Sequence, residues 1–475
     1  MDLATLLLAF PGCMKNSPFR ALAGTLRAAG ASHPESRPVL AGAFWLVVYL
    51  ALVLAPLFVL LVGPTPPRAG FTWDLSMALG FAGLAMMGVQ FLLTARFRRA
   101  TAPYGIDVIY YFHRYLGVVA LAIVLAHPAL LWLVHPAIGL LLDPTAAPWH
   151  ITAGVFSLAA LVVLAGTSLW RRPLRIHYDE WRIGHSLLAV AAVALALLHV
   201  EGVGYYVASP WKRALWTAIA VSWLAVLGYV RLLRPWRLLR TPYRVVDVVA
   251  ERGDAWTLAV EPLGHRGFGF QPGQFAWVTL RNSPFAMKEH PFSFSSSPVR
   301  SGGRLEFTLK ELGDFTRTIK DVPRGAIAYV DGPYGGFSID RHPAAPGYVL
   351  IAGGIGIAPI MSMLRALADR EDRRPVLLLY AYRRWERMTF REALEGLQAR
   401  LDLRVVHVLG EPPEDWRGER GWITRETLER HLPDERARVH YFVCGPEAMR
   451  QAMEELLWQL GVPLRRVHSE LFDLV

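Results

Sequence analysis

Four histidines stand in two pairs with equal spacing on two separate apolar segments. His113 and His127 are fourteen residues apart, and so are His185 and His199. Fourteen residues advance an α-helix by about 21 Å and return the side chain to within roughly 40° of the same face. Two such helices side by side present two stacked histidine pairs. Because imidazoles are common axial ligands of haem iron, the spacing predicts two bis-histidine haem sites.

The positions between these histidines carry small side chains. Gly117 and Ala120 lie four and seven residues beyond His113, and Ala189 and Ala192 lie four and seven beyond His185. These positions share the ligand face of each helix, so they leave room for flat macrocycles. Small residues also let transmembrane helices pack closely without a cofactor. The pattern therefore supports haem binding without deciding it.

The composition narrows the class of protein. The chain has 475 residues, of which 53% are hydrophobic, and a formal net charge of +11. The positive charge is concentrated in short loops beside apolar segments, and no basic arm interleaved with aromatics is present, so we expect no nucleic-acid partner. Cys13 and Cys444 are the only cysteines, which excludes a disulfide framework and a cysteine-ligated iron–sulfur cluster.

Six apolar segments are long enough to cross a bilayer of lipid, which takes about 20 residues in a helix. A membrane domain is therefore predicted over residues 39–235. The apolar start of the chain, residues 1–12, is too short to cross and is predicted to form a surface helix. The six predicted spans are residues 39–63, 73–95, 107–134, 150–169, 182–204 and 211–232.

Positive residues in the short loops predict the orientation of the spans. They gather in residues 1–38 and in the loops after the second and fourth spans. Cytoplasmic loops carry such an excess, so both termini are predicted to be cytoplasmic, with residues 1–38 as a cytoplasmic segment. His113 and His185, named the inner pair, then lie at the cytoplasmic depth. His127 and His199, the outer pair, lie toward the opposite face.

The remainder of the chain predicts a two-part soluble module. Residues 240–340 contain short alternating strands separated by Gly and Pro, which predicts a small antiparallel β-barrel. Residues 347–475 alternate strands and helices, which predicts a doubly wound parallel sheet. The strands are predicted at Tyr243–Val249, Ala255–Val260, Gln274–Leu280, Arg304–Leu309, Ala326–Val330, Tyr348–Ile351, Val376–Tyr382, Arg404–His407 and Tyr441–Val443.

Three short motifs in this module suit a flavin and a dinucleotide. The segment His290-Pro-Phe-Ser-Phe-Ser-Ser-Ser297 places an aromatic ring among hydroxyls, which can stack a flavin and bond its polar edge, although a serine-rich turn alone is usually only a turn. Gly313-Asp-Phe-Thr316 predicts a helix start whose N–H groups suit a pyrophosphate. Gly353-Gly-Ile-Gly-Ile-Ala-Pro359 lies between a predicted strand and a helix, a moderate dinucleotide signal that departs from G-x-G-x-x-G.

Together these motifs resemble the ferric reductase and NADPH oxidase superfamily, and most closely its compact prokaryotic NADPH-oxidase-like members. The resemblance covers nearly everything from about residue 75 onward. It adds to the paired histidines the following motifs: Gln271-Pro-Gly-Gln-Phe275, His290-Pro-Phe-Ser293, Gly332-Pro-Tyr-Gly335, Gly353-Gly-Ile-Gly356, Cys444-Gly-Pro446 and Glu470-Leu-Phe472.

The resemblance implies roles for particular residues. Phe292 and Ser293 would contact the isoalloxazine, His290 and Thr316 would serve the FAD phosphates, and Cys444 would lie beside the nicotinamide. Phe472 would cover the flavin, although the three residues that follow it put free movement of the ring in doubt. The remaining cofactor-binding candidates are Pro291, Ser296, Gly313, Gly353, Gly354, Gly356, Pro359, Arg383, Gly445 and Pro446.

These roles describe transmembrane electron transfer. NADPH would reduce FAD, and electrons would pass through two b-type haems to an acceptor on the opposite side of a bacterial cytoplasmic membrane. Dioxygen, giving superoxide, is the predicted acceptor. A ferric chelate is an alternative acceptor, and quinone or an extracytoplasmic partner protein is another. The sequence holds no EF-hand calcium motif and no long Pro-rich segment, so no obligatory activator protein is expected.

Other interpretations stay open for single residues. Cys444 is also compatible with a small core residue, and Phe472 with simple packing on the sheet. His135 and His150 lie in the predicted outer loop, where solvated histidines are commoner than metal ligands. Arg383 follows a predicted strand at a position where the superfamily commonly contacts the adenosine ribose. A guanidinium there pairs well with a 2′-phosphate, so NADPH is predicted over NADH.

Overall fold

Six long apolar helices occupy the first half of the described chain in the computed structural model. The structure describes residues 37–63, 67, 69–97, 106–143, 145–299 and 302–470. Of the described residues, 37–55 belong to one unit and those from 56 to 470 to a second. The long helices, all apolar enough to cross a membrane, are α1 Arg37–Leu60, α2 Phe71–Thr94, α3 Ile106–Val134, α4 Trp149–Leu169, α5 Tyr178–Val203 and α6 Pro210–Gly228. The six spans predicted from the sequence are therefore confirmed.

The helix that follows the fifth span changes its winding before it leaves the bundle. Helix α6 continues through a π-helical turn, Tyr229–Leu233, into the short helix α7, Arg234–Leu239. Arg231 in this turn donates to Ser186 Oγ of α5 at 2.7 Å. Such single π turns are frequent at functional sites. Here the turn joins the bundle to the soluble module.

Close helix packing inside the bundle depends on glycine. Helix α2 packs along α3, and α4 packs along α5. A Cβ added to Gly83 of α2 would lie 2.4 Å from Val124 Cγ2 of α3, and one added to Gly88 would overlap the Trp223 ring of α6. Because these contacts leave no room for a side chain, the two glycines bring their helices closer than alanine would allow.

The first half of the soluble module is an antiparallel barrel. Its strands are β1 Tyr243–Glu251, β2 Ala255–Pro262, β3 Phe275–Leu280, β4 His290–Ser293, β5 Leu305–Lys310 and β6 Ile327–Tyr334, in the order β4-β3-β6-β1-β2-β5. A bridge from Phe294 to Phe307 links the two edges of this sheet. Ser295–Ser297 of the predicted motif lie outside any strand, whereas its His290–Ser293 part is an edge strand. It escapes prediction because it is short and contains a proline, which only edge strands tolerate.

The second half is a parallel six-stranded sheet with helices beside it. The strands are β7 Tyr348–Gly353, β8 Val376–Tyr382, β9 Leu403–Leu409, β10 Glu419–Arg420, β11 His440–Cys444 and β12 Val467–Glu470, in the order β10-β9-β8-β7-β11-β12. The helices are α9 Ile357–Asp369, α10 Arg391–Gln398, α11 Arg425–His431 and α12 Glu447–Gln459, and α8 Asp314–Arg317 precedes them in the barrel. The predicted fold class is confirmed, whereas β10 and β12 were not predicted.

Candidate functional site

The inner histidines face each other across α3 and α5. The ring centres of His113 and His185 are 6.2 Å apart, and the rings are inclined by 65°. A first-row metal binds an imidazole nitrogen at about 2 Å, and the ring centre lies about 1 Å behind that nitrogen, so two imidazoles on opposite sides of one metal have centres roughly 6 Å apart. The inner pair has the separation that one metal between two imidazoles requires.

The outer histidines repeat this geometry farther along the same helices. The ring centres of His127 and His199 are 6.5 Å apart, with the rings inclined by 66°. The Nδ1 of His127 lies 2.9 Å from the carbonyl oxygen of Ser76, and that of His199 lies 2.9 Å from the carbonyl oxygen of His150. A carbonyl can only accept, so Nδ1 carries the proton in both rings. Each Nε2 then keeps its lone pair for a metal.

The inner pair is held by side chains. His113 Nδ1 lies 2.7 Å from Gln90 Oε1, and His185 Nδ1 lies 3.1 Å from Ser168 Oγ. Hydrogen bonds at Nδ1 fix the orientation of metal-bound imidazoles and raise the basicity of the ligand. All four predicted ligands therefore have such a partner, and none of these four partners was found from the sequence.

Of two further histidines, His135 lies in the loop where it was predicted, whereas His150 does not. His150 was assigned to the outer loop, but it is the second residue of helix α4, and its carbonyl holds His199. His135 precedes a 3₁₀ turn, and its ring lies against Trp73 with the ring centres 5.7 Å apart. The assignment of His150 to the loop was wrong, because the helix begins at Trp149 and the predicted span itself began at residue 150.

A cavity of about 840 Å³ opens at the inner pair. Both ligands line it, and so do Gly117, Ala120, Ala189 and Ala192, the small residues singled out from the sequence. A Cβ added to Gly117 would meet nothing within 4 Å. The volume falls within the range of about 300–1,000 Å³ that is usual for ligand sites, so the small residues do leave space on the ligand face.

The lining of this cavity is strongly positive. It contains seven arginines and only three acidic residues, Glu289, Asp331 and Glu447. A macrocycle with two carboxylates, such as haem b, suits an apolar cleft with arginines at its mouth. The residues present therefore fit a haem at the inner pair. The seven arginines are Arg96, Arg114, Arg171, Arg172, Arg182, Arg231 and Arg234.

Glu289 joins the membrane bundle to the barrel. It accepts hydrogen bonds from Arg96 at 3.0 Å and from Arg182 at 2.9 Å. Burial alone would raise the pKa of Glu289, but the two guanidinium groups outweigh burial and lower the pKa to about 2. Arg96 also lies 3.7 Å from the centre of the Trp277 ring in β3. Arg96, just after α2, and Arg182, near the start of α5, therefore both bind Glu289, the residue directly before His290.

The predicted flavin residues lie on and beside β4. The rings of His290 and Phe315 stack with centres 3.9 Å apart, and Phe292 lies 5.8 Å from Phe315. Ser293 is buried, and its Oγ has no hydrogen-bond partner in the described part of the chain. An orphaned buried hydroxyl is costly unless a ligand bonds it. This orphaned atom fits the predicted contact of Ser293 with the flavin.

The predicted pyrophosphate residues lie at a shorter element than expected. The helix after Gly313 has only the four residues Asp314–Arg317. Thr316 Oγ1 accepts hydrogen bonds from the backbone N–H groups of Leu312 and Gly313, both at 3.0 Å. Ser296 Oγ accepts from the N–H of Glu306. Thr316 therefore caps its own turn in this structure, and Pro291 lies in β4 opposite Trp277.

The glycine-rich turn and the Cys444 segment come together at the carboxyl ends of β7 and β11. A Cβ on Gly356 would lie 2.3 Å from the carbonyl oxygen of Cys444, and one on Gly353 would lie 2.6 Å from Met449 Sδ. Gly445 also lies close to Gly353, since a Cβ on Gly445 would lie 3.1 Å from the Gly353 Cα. The close approach explains why this turn is built from glycine. Nucleotides bind at this edge of open α/β sheets.

Three other predicted residues complete this edge. Gly354 has φ +54, a left-handed conformation that favours glycine. Pro359 is buried in the first turn of α9, and Pro446 directly precedes α12. Cys444 is fully buried, and burial, with the Glu470 carboxylate nearby, raises the pKa of its thiol well above the usual range. At neutral pH the side chain is therefore a thiol.

Arg383, the predicted 2′-phosphate partner, is held by a carboxylate that the sequence did not indicate. Its Nε lies 2.5 Å from Glu411 Oε1, and Arg384 Nε lies 2.7 Å from Glu411 Oε2. Glu411 follows β9, next to β8 in the sheet. Only the pairing of strands brings residues 383 and 411 together, so no local sequence signal reveals the contact. Phe472 lies outside the described residues.

Comparison with known proteins agrees with this arrangement. The family described as Ferric reductase like transmembrane component matches residues 79–196. An FAD-binding domain matches residues 245–338, and an Oxidoreductase NAD-binding domain matches residues 350–455. Six apolar helices joined to a flavin barrel and a nucleotide sheet define a multi-pass membrane flavin oxidoreductase. The three matches, in this order along the chain, correspond to the parts of an NAD(P)H-dependent flavin oxidoreductase of ferric reductase type.

Similar proteins resemble only parts of the chain. An NADH-cytochrome b5 reductase-like protein of Emericella nidulans is 35% identical over 164 residues, which cover 33% of this chain and 34% of that protein. NADH-cytochrome b5 reductase 1 of Lodderomyces elongisporus is 32% identical over 189 residues, covering 38% and 63%. A crystal structure of an Amycolatopsis cytochrome P450 reductase is 22% identical with a TM-score of 0.43, covering 49% and 69%. The chain therefore spans less than two thirds of both curated relatives.

Proposed function

We propose that the protein passes electrons from NADPH through FAD and two b-type haems to dioxygen on the opposite side of a bacterial cytoplasmic membrane, giving superoxide. The observation that carries this proposal is the repeated histidine geometry. Two pairs on the same two helices have separations of 6.2 and 6.5 Å. All four histidines have an oxygen acceptor at Nδ1. The protein would belong with the compact prokaryotic NADPH-oxidase-like members of the superfamily.

Bound FAD and haem supply the chemistry that splits a hydride into single-electron transfers. The residues of the chain position these cofactors and the nucleotide. The glycine turn at Gly353 and the N-terminus of α9 receive the dinucleotide phosphates, and Ser293 offers its unbonded hydroxyl to the flavin. His113 with His185, and His127 with His199, would each hold one haem, which would supply one-electron transfer across the bundle. Because two histidines would hold each haem iron, the acceptor would be reduced without binding to the iron.

The contacts of Glu289 support the predicted orientation. The barrel contacts the ends of α2 and α5 that lie at the depth of the inner pair, since Arg96 and Arg182 both bind Glu289. Electrons from the flavin therefore enter at His113 and His185 and leave toward His127 and His199. With the positive loops in the cytoplasm, the acceptor is extracytoplasmic and both termini are cytoplasmic.

A superoxide assay tests the acceptor. Purified protein with NADPH and a superoxide probe should give a signal that superoxide dismutase abolishes. An undiminished reduction of ferric chelate in the presence of dismutase would instead identify a ferric reductase. Reduction of neither acceptor, with rapid reduction of a quinone, would favour transfer to a membrane or partner-protein acceptor.

Nucleotide preference is tested at Arg383. A hydrogen bond to a charged group contributes roughly 1.5–3 kcal/mol, so Arg383→Ala should lower kcat/KM for NADPH by about tenfold or more and leave NADH nearly unchanged. Glu411 competes with the 2′-phosphate for the same guanidinium, so Glu411→Gln should raise kcat/KM for NADPH. Equal losses with both nucleotides in Arg383→Ala would show that Arg383 does not bind the phosphate.

A further inference from the structure

We infer that His342, His440 and His468 form a binding site for a divalent transition metal of the zinc class. The three residues come from distant parts of the chain, yet their ligand nitrogens all lie within 4.8 Å of one another. Each side chain is partly buried. The site lies in the nucleotide-binding half and belongs to neither haem pair.

The fold brings these histidines together from three separate elements. His342 directly follows the 3₁₀ turn Ile339–Arg341, on the connection from the barrel to the parallel sheet. His440 is the first residue of β11, and His468 is the second residue of β12, which pairs with β11 in parallel. A metal bound here would join this connection to the last two strands of the sheet.

The imidazoles are stacked closely. The ring of His342 lies 4.2 Å from that of His440 and 4.1 Å from that of His468, measured between centres. His440 Nδ1 lies 2.9 Å from His468 Nε2. In the described part of the chain the ring nitrogens of His342 make no hydrogen bond to protein. Ordinary packing would satisfy these nitrogens separately, whereas here they converge.

The ligand types select the class of metal. Zinc binds histidine nitrogen at about 2.0–2.1 Å with tetrahedral geometry, which places neighbouring nitrogens roughly 3.3 Å apart. The 2.9 Å hydrogen bond between His440 Nδ1 and His468 Nε2 would therefore open by a few tenths of an ångström, and the stacked rings would turn so that their nitrogens face one metal. Three imidazoles without a carboxylate suit zinc, copper or nickel and not magnesium or calcium. Water or a small anion would fill the fourth position. An anion is favoured because Arg341 and Arg466 lie close by.

The site is separate from the path of hydride transfer. His440 pairs with Tyr348 at the first residue of β7, whereas the nucleotide turn follows Gly353 at the other end of that strand. Four strand steps separate Cys444 from His440, a distance of about 13 Å. The metal would therefore stabilise the nucleotide-binding half without taking part in the reaction.

Zinc uptake by the full-length protein tests the inference. The protein, purified with FAD and haem, is treated with a chelator, incubated with Zn²⁺ alone, and freed of unbound metal. Wild type should retain one additional zinc per chain and unfold at a higher temperature with zinc than without it. His342→Gln and His468→Gln should lose both the bound zinc and the temperature shift. His431→Gln, in the same half but outside the cluster, should keep both.

Other outcomes would overturn the inference. Wild type that retains no zinc, or retains as much as the double variant His342→Gln/His468→Gln, has no site at this cluster. Haem and flavin absorbance identify variants that fail to fold, and the wild-type measurement decides the question even then. NADPH-dependent dye reduction should be unchanged by zinc in wild type. A zinc-induced loss of that activity in both wild type and His342→Gln would place the metal elsewhere.

Discussion

The inner and outer histidine pairs share one geometry but are held in different ways. The outer imidazoles contact backbone carbonyls, those of Ser76 and His150, and the Ser76 hydroxyl also lies 2.9 Å from His127 Nδ1. The inner imidazoles contact the side chains of Gln90 and Ser168. A backbone acceptor cannot be removed by substitution, whereas a side-chain acceptor can. The outer pair is thus fixed by the helix fold itself, and the inner pair is held by replaceable side chains beside a cavity that the barrel contacts.

Among changes that act on only one of the two pairs, removal of one histidine should have the largest effect. His127→Leu should abolish the outer haem and His113→Leu the inner haem, because a single imidazole leaves one axial position open. The measurement is haem per chain by pyridine haemochrome, and His135→Leu is the control that should keep the wild-type count. Two haems per chain in purified His127→Leu would refute the assigned ligation.

Gly154→Ala should weaken the outer pair alone. The added Cβ would lie 2.8 Å from His199 Nδ1, so the ring must move away from the carbonyl of His150. Changes in such supporting contacts lower metal affinity by about 10- to 100-fold, so the outer haem should dissociate more readily. Gly166→Ala on the same helix is the control, because its Cβ meets only ordinary contacts with Trp170. Equal haem retention in both variants would show that the outer pair tolerates displacement.

Glu289→Gln should weaken the contact between the barrel and the bundle beside the inner pair and leave the outer pair intact. Removing one partner of a buried ion pair costs roughly 3–5 kcal/mol, so the thermal unfolding temperature at pH 7 should fall. The folded pKa of Glu289 is about 2, below its usual 4.5. Its contribution is therefore complete above about pH 4.5 and is lost as the pH falls toward 2.

The pH dependence supplies the control for this variant. The difference in unfolding temperature between wild type and Glu289→Gln should narrow as the pH is lowered below 4.5. Glu261→Gln, on β2 of the same barrel, should show little difference at any pH. A deficit for Glu289→Gln that is independent of pH would mean that the carboxylate charge is not what joins barrel and bundle.

The smallest expected effect is on the redox potential of the inner haem. Gln90→Leu removes the acceptor 2.7 Å from His113 Nδ1, which makes the imidazole a weaker donor to iron. Weaker donation stabilises the ferric state less, so the midpoint potential of the inner haem should rise while that of the outer haem stays unchanged. A spectroelectrochemical titration resolves the midpoint potentials of the two haems. A shift of the outer potential alone would reverse the assignment of the pairs.

Features that repeat along one helix, or that lie between neighbouring elements of the sequence, were predictable from the sequence. The six spans and the histidine pairs follow from helical spacing, and the glycine turn follows from its place between β7 and α9. Contacts between distant elements were not predictable. Glu289 contacts its arginines only because the barrel packs on the bundle, and Glu411 contacts its arginines only because strands pair. The cluster at His342 likewise depends on the parallel pairing of β11 with β12.

The contact between bundle and barrel depends on how far the helix rotates at the π-helical turn Tyr229–Leu233. One residue more or less in an α-helix rotates everything beyond it by about 100°. Arg231 within the turn contacts Ser186 and Met287, and Arg234 just after the turn contacts the Ala95 carbonyl and Asp331. Deleting a single residue in the turn would restore regular winding and point these guanidinium groups away from their partners. The number of residues between the last span and the flavin barrel therefore determines the direction in which these guanidinium groups point.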